Sequence, residues 1–243
     1  MVFFKVSLLT SAATIPLSLE SSLSLRGGWD IGKRLDPLGL SKPFSTQVHN
    51  SIQYREAFLQ LIQTPDLPDL GPTPRASRLP LGELSDKVDG FIQETKLSPA
   101  LQPVVRCAAL LWHDYLDESH AISQNMHNAD GSFLHAIMHR REPDYSNAKY
   151  WFQRVGPHPC FSEIARQVIR LLETSKEMAA KLAPRSNWDP FAFVDACEAA
   201  ARRPSADTTA QTLRAIQGIE FNGLLSHVFS GIAPNWSGAD SPN

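Results

Sequence analysis

The chain lacks lysine where it is most polar. No lysine occurs between Lys96 and Lys149, yet residues 113–144, HDYLDESHAISQNMHNADGSFLHAIMHRREPD, hold five of the eight histidines. A solvent-facing helix pair is ordinarily written in Lys and Glu, so this gap argues against a plain solvated face. Cysteine is sparse too. Cys107, Cys160 and Cys197 are odd in number, widely spaced and without a Cys-x-x-Cys pair. That spacing speaks against a disulfide framework or a thiolate zinc site and suits small buried hydrophobes in a reducing compartment. Nor is there an excess of charge. With 23 Lys and Arg against 25 Asp and Glu, the net charge of −2 gives no reason to expect nucleic acid as a partner.

Long apolar runs are missing as well. The opening MVFFKVSLLTSAATIPLSL is broken by Ser7, Thr10, Ser11, Thr14 and Pro16, which leaves no membrane span and a poor secretory signal. The sequon at Asn235 would fit secretion, but the odd cysteine count favours a cytoplasmic protein.

What is present reads as helix. At 243 residues and 42% hydrophobic composition the chain can bury a sizeable core. Residues 1–48, with Gly27-Gly28, Pro37 and Pro43, show no period and read as an irregular leader. A helical domain is expected over 49–232, followed by a frayed tail at 233–243. Its first helix, carrying Ile52, Phe58, Leu59 and Ile62, stops at Thr64-Pro65. Pro65, Pro68, Pro72, Pro74 and Pro80 then make a strap across the domain, too rich in proline for helix or inner strand. A short helix holds Leu84, Val88, Phe91 and Ile92. Ser98-Pro99 opens a long helix to about Asn125. Further helices are expected from about Gly131 to Arg141, Ser146 to Gly156, Ser162 to Leu182, Asp189 to Arg203 and Asp207 to Gly231. No strand alternation appears. The predicted fold is an all-α, single helical-bundle domain.

At 100° per residue, Arg106, His113, Asp117, His120 and Gln124 form one stripe of the long helix. On the next helix Ser132, His135, His139 and Glu142 share a stripe, and on the third Asn147, Tyr150, Trp151 and Arg154 do. Consecutive helices joined by short loops are neighbours, so these stripes are expected to face one another around a pocket. Each part alone has a bland reading. A single helical His is more often a packing residue than a ligand, and His135-x-x-x-His139 lacks the glutamate of a zincin, having Ala136 instead. The density of titratable groups is what points to a site.

The stretch HAIMHRREPDYSNAKYWFQRVGPHP, His135 to Pro159, resembles the signature of a protein family of fungi and soil bacteria to which no activity is assigned. Its marks are an H-R-R-E-P-D run followed by N-A-x-Y-W-F-R-R-V-G-x-H-P. Gln153 stands here where the first arginine of that second run is expected. The resemblance implies where a site lies and supplies no catalytic roles.

Three readings follow. In the first, a divalent ion (Zn, Fe or Mn) is held by His113, His120, His135 and His139, with Asp117 or Glu142 as oxygen ligand or general base, in a hydrolase or lyase of small molecules. In the second, a metal-free lyase, isomerase or cyclase uses His139 and Glu142 to move protons. Arg140, Arg154 and Lys149 then hold an anionic substrate, with Asn147 beside it and Tyr150, Trp151 and Phe152 as an apolar wall. A terpene-cyclase variant would place Mg²⁺ on Asp114, Asp117 and Glu118, although the doubled leading aspartate is absent. The third is a non-catalytic helical interaction module with a buried polar network.

Overall fold

A computed structural model describes residues 44–201 and 207–232, with side chains from residue 52. Among these residues there are ten α-helices, one 3-10 turn (Pro184–Ser186) and no strand, as the sequence periodicity predicts. The helices are α1 (Phe44–Ile62), α2 (Leu81–Thr95), α3 (Gln102–Trp112), α4 (Leu116–Ser123) and α5 (Ala129–Arg141). They continue with α6 (Tyr145–Val155), α7 (Phe161–Leu171), α8 (Lys176–Leu182), α9 (Pro190–Ala200) and α10 (Thr208–Ser230). Residues 44–48, expected in the leader, are already helical. The rest of that leader and the tail from 233 lie outside the described residues.

Helix α5 is the axis of the fold. Every residue from Gly131 to Arg141 is buried, including two histidines and two arginines. Its start is fixed by Asn128, whose side chain accepts from the Gly131 N–H, satisfying a donor that has no partner within the helix. Its end follows from Pro143, which pushes the preceding residue out of helical geometry. Asp144 then caps α6 by accepting from the Asn147 N–H, so the helix begins at Tyr145, one residue before the expected start. Helix α6 returns antiparallel to α5, since His139 meets Asn147 while His135 meets Trp151. Phe133 packs edge-on against Phe152 and Phe161, tying α5, α6 and α7 together. Phe58, Phe91 and Phe229 form a second aromatic knot joining α1, α2 and α10.

Two expected long helices are each broken. The one over Ser98–Asn125 is interrupted at residues 113–115, where Asp114 takes a left-handed φ of 63°. Asp is one of the few residues with a side chain that visits this region readily. What holds it there is charge: its buried carboxylate lies between Arg75 (2.8 Å) and Arg141 (2.5 Å). Helix α4 consequently folds back on α3, bringing Ser119 Oγ to 3.2 Å from Cys107 Sγ. The expected helix over Ser162–Leu182 stops at Leu171, and the Ser175 N–H closes a turn onto the Leu172 carbonyl. Thr174 and Ser175, poor residues inside a helix, occupy this turn. Ser162 itself lies inside α7 and caps nothing. Asp189 and Asp207 cap α9 and α10 as expected.

The proline-rich segment is a strap bound to the helices. Arg75 donates to the Asp114 carboxylate from both its backbone and its side chain, and also to the Trp112 carbonyl. The Asp69 carbonyl accepts from Arg141 and Gln217, and the Leu79 carbonyl from the Tyr115 hydroxyl at 2.7 Å. Asp114 and Arg141 thus fix both the α3–α4 break and the strap across it. Among the described residues no helix is long and apolar enough to cross a membrane.

Candidate functional site

Helices α4, α5 and α6 bring three of the expected histidines together. One ring nitrogen from each of His120, His135 and His139 lies within 4.8 Å of the others. His135 and His139 are four residues apart on α5, so their rings lie on one face, 4.7 Å between centroids and tilted by 32°. Their Nε2 atoms are 2.9 Å apart. The His120 ring, reaching in from α4, sits edge-on to both, at 4.8 Å from His135 and 5.1 Å from His139. The first two are buried and His120 is half-buried, so the group opens on the His120 side.

Contacts around the rings decide their protons. His139 Nδ1 faces Glu142 Oε2 at 3.1 Å, and since an ionised carboxylate only accepts, Nδ1 carries the hydrogen. Its Nε2 is then a bare lone pair, to which Asn147 Nδ2 donates at 3.0 Å. His135 supplies the other donor to that lone pair, which leaves its own Nδ1 buried without a hydrogen bond of ordinary geometry. Trp151 stacks on the His135 ring, 3.9 Å between centroids and 17° between planes. Burial, with His139 and His120 nearby, pushes the His135 pKa down to about 4. Burial, followed by the opposing pull of Glu142 and the push of His120, leaves His139 below its ordinary value. His135 and His139, both held below their ordinary value, are neutral at physiological pH, the state in which imidazole binds metal.

Glu142 links this cluster to a cavity of about 350 Å³. Its walls include Arg78, Tyr115, Asp117, Glu118 and Glu142. Asp117 is exposed at the start of α4 and shares this cavity with Glu142, but it is not among the residues clustered with the three histidines. Arg78 and Glu118 contribute to the cavity without having stood out as site residues for the metal reading. Arg78 comes from the strap, and only the fold brings it there.

The other expected site residues have different surroundings. His113 does not join the three histidines, because the helix break turns it under the strap, where its Nδ1 accepts from the Leu79 N–H at 3.1 Å. Arg106 pairs with Asp89 instead of facing the site. Arg140, expected to hold an anionic substrate, is fully buried on the opposite side of α5. It donates to Glu220 at 2.6 Å, with its guanidinium 4.4 Å from the Phe193 ring centre. Lys149 is tied to Asp195 at 2.5 Å. Arg154 lies exposed over Trp151 and Tyr150, at the outer edge of the cluster.

The chain matches no protein-family model, no curated protein and no solved structure. The chemistry must therefore be argued from the geometry.

Proposed function

We propose that His120, His135 and His139 hold a divalent transition metal, and that the protein is a metal-dependent enzyme of hydrolase or lyase type acting on a small molecule. The observation that carries this reading is the convergence of three imidazoles on one point, with Glu142 gripping His139 from behind. A carboxylate on the far nitrogen of a ligand histidine fixes its tautomer and raises its basicity. The approach of the two Nε2 atoms is close to the roughly 3.3 Å that separates two ligands of a tetrahedral ion with bonds of about 2.0–2.1 Å. Three histidines, with no fourth ligand clustered beside them among the described residues, leave a coordination position open, the pattern of a catalytic ion. Such an ion supplies an acidified water or polarises a substrate oxygen.

Around it the chain's own groups take simple roles. Glu142 accepts the Nδ1 proton of His139 and faces the cavity, where its other lone pairs can receive a proton from a substrate. Asp117 and Glu118 are further carboxylates of that wall. Asn147, which donates to the His139 Nε2 lone pair in the ion-free protein, would yield that lone pair to the ion, and Trp151 closes one side of the site against water. With Arg140 and Lys149 committed elsewhere, Arg78 stands against Asp117, Glu118 and Glu142, so the cavity favours a neutral or cationic polar substrate over an anion.

A metal-free reading is favoured by one observation, the continuous chain Glu142–His139–His135, which is a ready path for a proton. Metal content separates the two. Protein purified without a polyhistidine tag is expected to carry close to one equivalent of a first-row transition metal at this cluster, lost in His120→Ala. A metal content and a metal-induced rise in melting temperature that are both unchanged by His120→Ala, or less than about a tenth of an equivalent in all, would turn the assignment to the proton relay.

A further inference from the structure

A second group of ligating side chains lies at the other end of α5. Asp130 in its first turn, His158 in the α6–α7 loop and His227 in the last turn of α10 place one ligand atom each within 4.8 Å of one another. His158 Nε2 is 3.0 Å from Asp130 Oδ1, and His227 Nε2 is 3.8 Å from the same oxygen. The two rings are 4.8 Å apart at 77°. We propose that these three residues form a separate site for a Zn²⁺-class divalent ion, with water completing the coordination.

Four features support the assignment. A hydrogen-bonded His–Asp pair explains His158, but it leaves His227 facing the same oxygen at a distance too long for a hydrogen bond. An ion placed among the three atoms accounts for both rings. The donor set, two imidazoles and one carboxylate, suits a borderline ion better than Mg²⁺ or Ca²⁺. His158 lies between Pro157 and Pro159, whose fixed φ angles limit the loop's freedom, and its ring is walled by Phe133 and Phe161. His227 and Asp130 keep 34% and 21% of their side-chain surface, so an ion and its water can enter there.

Cys160 belongs to this group but is not its fourth ligand. Its Sγ is 2.9 Å from His158 Nδ1, on the opposite edge of the ring from Nε2, and cannot reach the same ion. Burial, with Glu220 and Asp130 adding to it, pushes the thiol up to about 12, so it is no nucleophile either. Without an ion, His158 donates from Nε2 to Asp130, while Nδ1 receives the Cys160 backbone N–H at 3.4 Å. Ion binding moves that one proton from Nε2 to Nδ1, where the sulfur accepts it. The Nε2 lone pair is then free for the metal.

The position indicates the role. Asp130 is five residues from His135, about 7.5 Å along the helix axis, whereas paired catalytic ions stand about 3.5–4 Å apart. The two clusters therefore act independently. This one joins the start of α5, the α6–α7 loop and the end of α10, so the ion clamps the fold.

The test is zinc stoichiometry of the full chain, stripped with chelator, reloaded with Zn²⁺, desalted and measured by plasma mass spectrometry. His227→Ala and Asp130→Asn alter partly exposed side chains, and far-UV circular dichroism verifies that both variants fold. Each is expected to hold about one equivalent less than the unaltered protein and to show a smaller zinc-induced rise in melting temperature. If the unaltered protein holds one equivalent and both variants none, this site stands and the three-histidine site fails. Variants that bind as much zinc as the unaltered protein would overturn the proposal.

Discussion

His135 Nε2 and His139 Nε2 face each other at 2.9 Å on consecutive turns of α5, sharing one proton. Two neutral imidazoles in this arrangement are a donor and an acceptor, so one of them is in the wrong tautomer for binding an ion. His139 is ready, because Glu142 holds its Nδ1 hydrogen. His135 must shift its hydrogen to Nδ1, next to the Ser123 backbone, which favours the protonated ring. With the proposed ion bound, the His135 Nε2 and His139 Nε2 lone pairs would both face it in place of the shared proton. Replacing Glu142 by Gln keeps a group that can accept from Nδ1 but removes the charge that makes His139 basic. Metal affinity in Glu142→Gln is expected to fall about 10–100-fold with little loss of stability, measured by competition with a chromophoric chelator. Unchanged affinity would remove Glu142 from the site.

Arg140 and Glu220 are a buried ion pair at 2.6 Å, and Trp188 donates to the same carboxylate at 3.3 Å. Arg140→Ala leaves Glu220 without its countercharge and is expected to cost about 3–5 kcal/mol in urea denaturation. The double variant Arg140→Met, Glu220→Leu should recover much of that loss, since no charge is then stranded. If Arg140→Ala lost substrate binding at full stability, the residue would belong to the site after all.

Asp114 has the same structural weight for the strap. Burial alone would raise its pKa, but Arg141 and Arg75 outweigh this and hold the carboxyl below its usual range. Asp114→Asn tolerates the left-handed backbone yet strands the buried Arg141 guanidinium and leaves Arg75 only the more distant Asp66. Stability should drop by about 3–5 kcal/mol, and proteases should cut within residues 65–80 much faster. A loss under about 1 kcal/mol with an uncut strap would contradict the account of the α3–α4 break.

Burial, with Arg75 next in effect, lowers the His113 pKa to about 4. The unfolded chain therefore takes up this proton first as pH falls. Stability is full above about pH 6.5 and declines toward pH 4, by up to about 3 kcal/mol from this residue, with His135 adding to the slope. His113→Asn retains an acceptor for the Leu79 N–H and does not titrate. Its urea midpoint should depend less steeply on pH between 7 and 5 than that of the unaltered protein. Parallel curves would assign the slope to other groups.

The helical class, the strap, the α5–α6 hairpin and the Asp189 and Asp207 caps were legible because each rests on local chemistry, namely periodicity, proline and capping residues. The approach of His135, His139, Asn147 and Trp151 was legible for the same reason, since a three-residue connection leaves α6 little choice but to return along α5. His113 was misplaced because projection along an unbroken helix assumes the break at Asp114 away, and that break depends on Arg75 and Arg141, distant in sequence. Arg140 was misread because one helical turn carries side chains to both sides of α5. Its partner Glu220 comes from the last helix and leaves no local mark. The same is true of His227, which meets Asp130 only in the folded chain.

The central claim is that three histidines share an ion, and anomalous diffraction tests it most directly. Crystals of the untagged protein grown with Zn²⁺, measured on both sides of the zinc absorption edge, should show a peak about 2.0–2.1 Å from one ring nitrogen of each of His120, His135 and His139. A map with no anomalous peak among those rings, and His135 still sharing its proton with His139, would contradict the account.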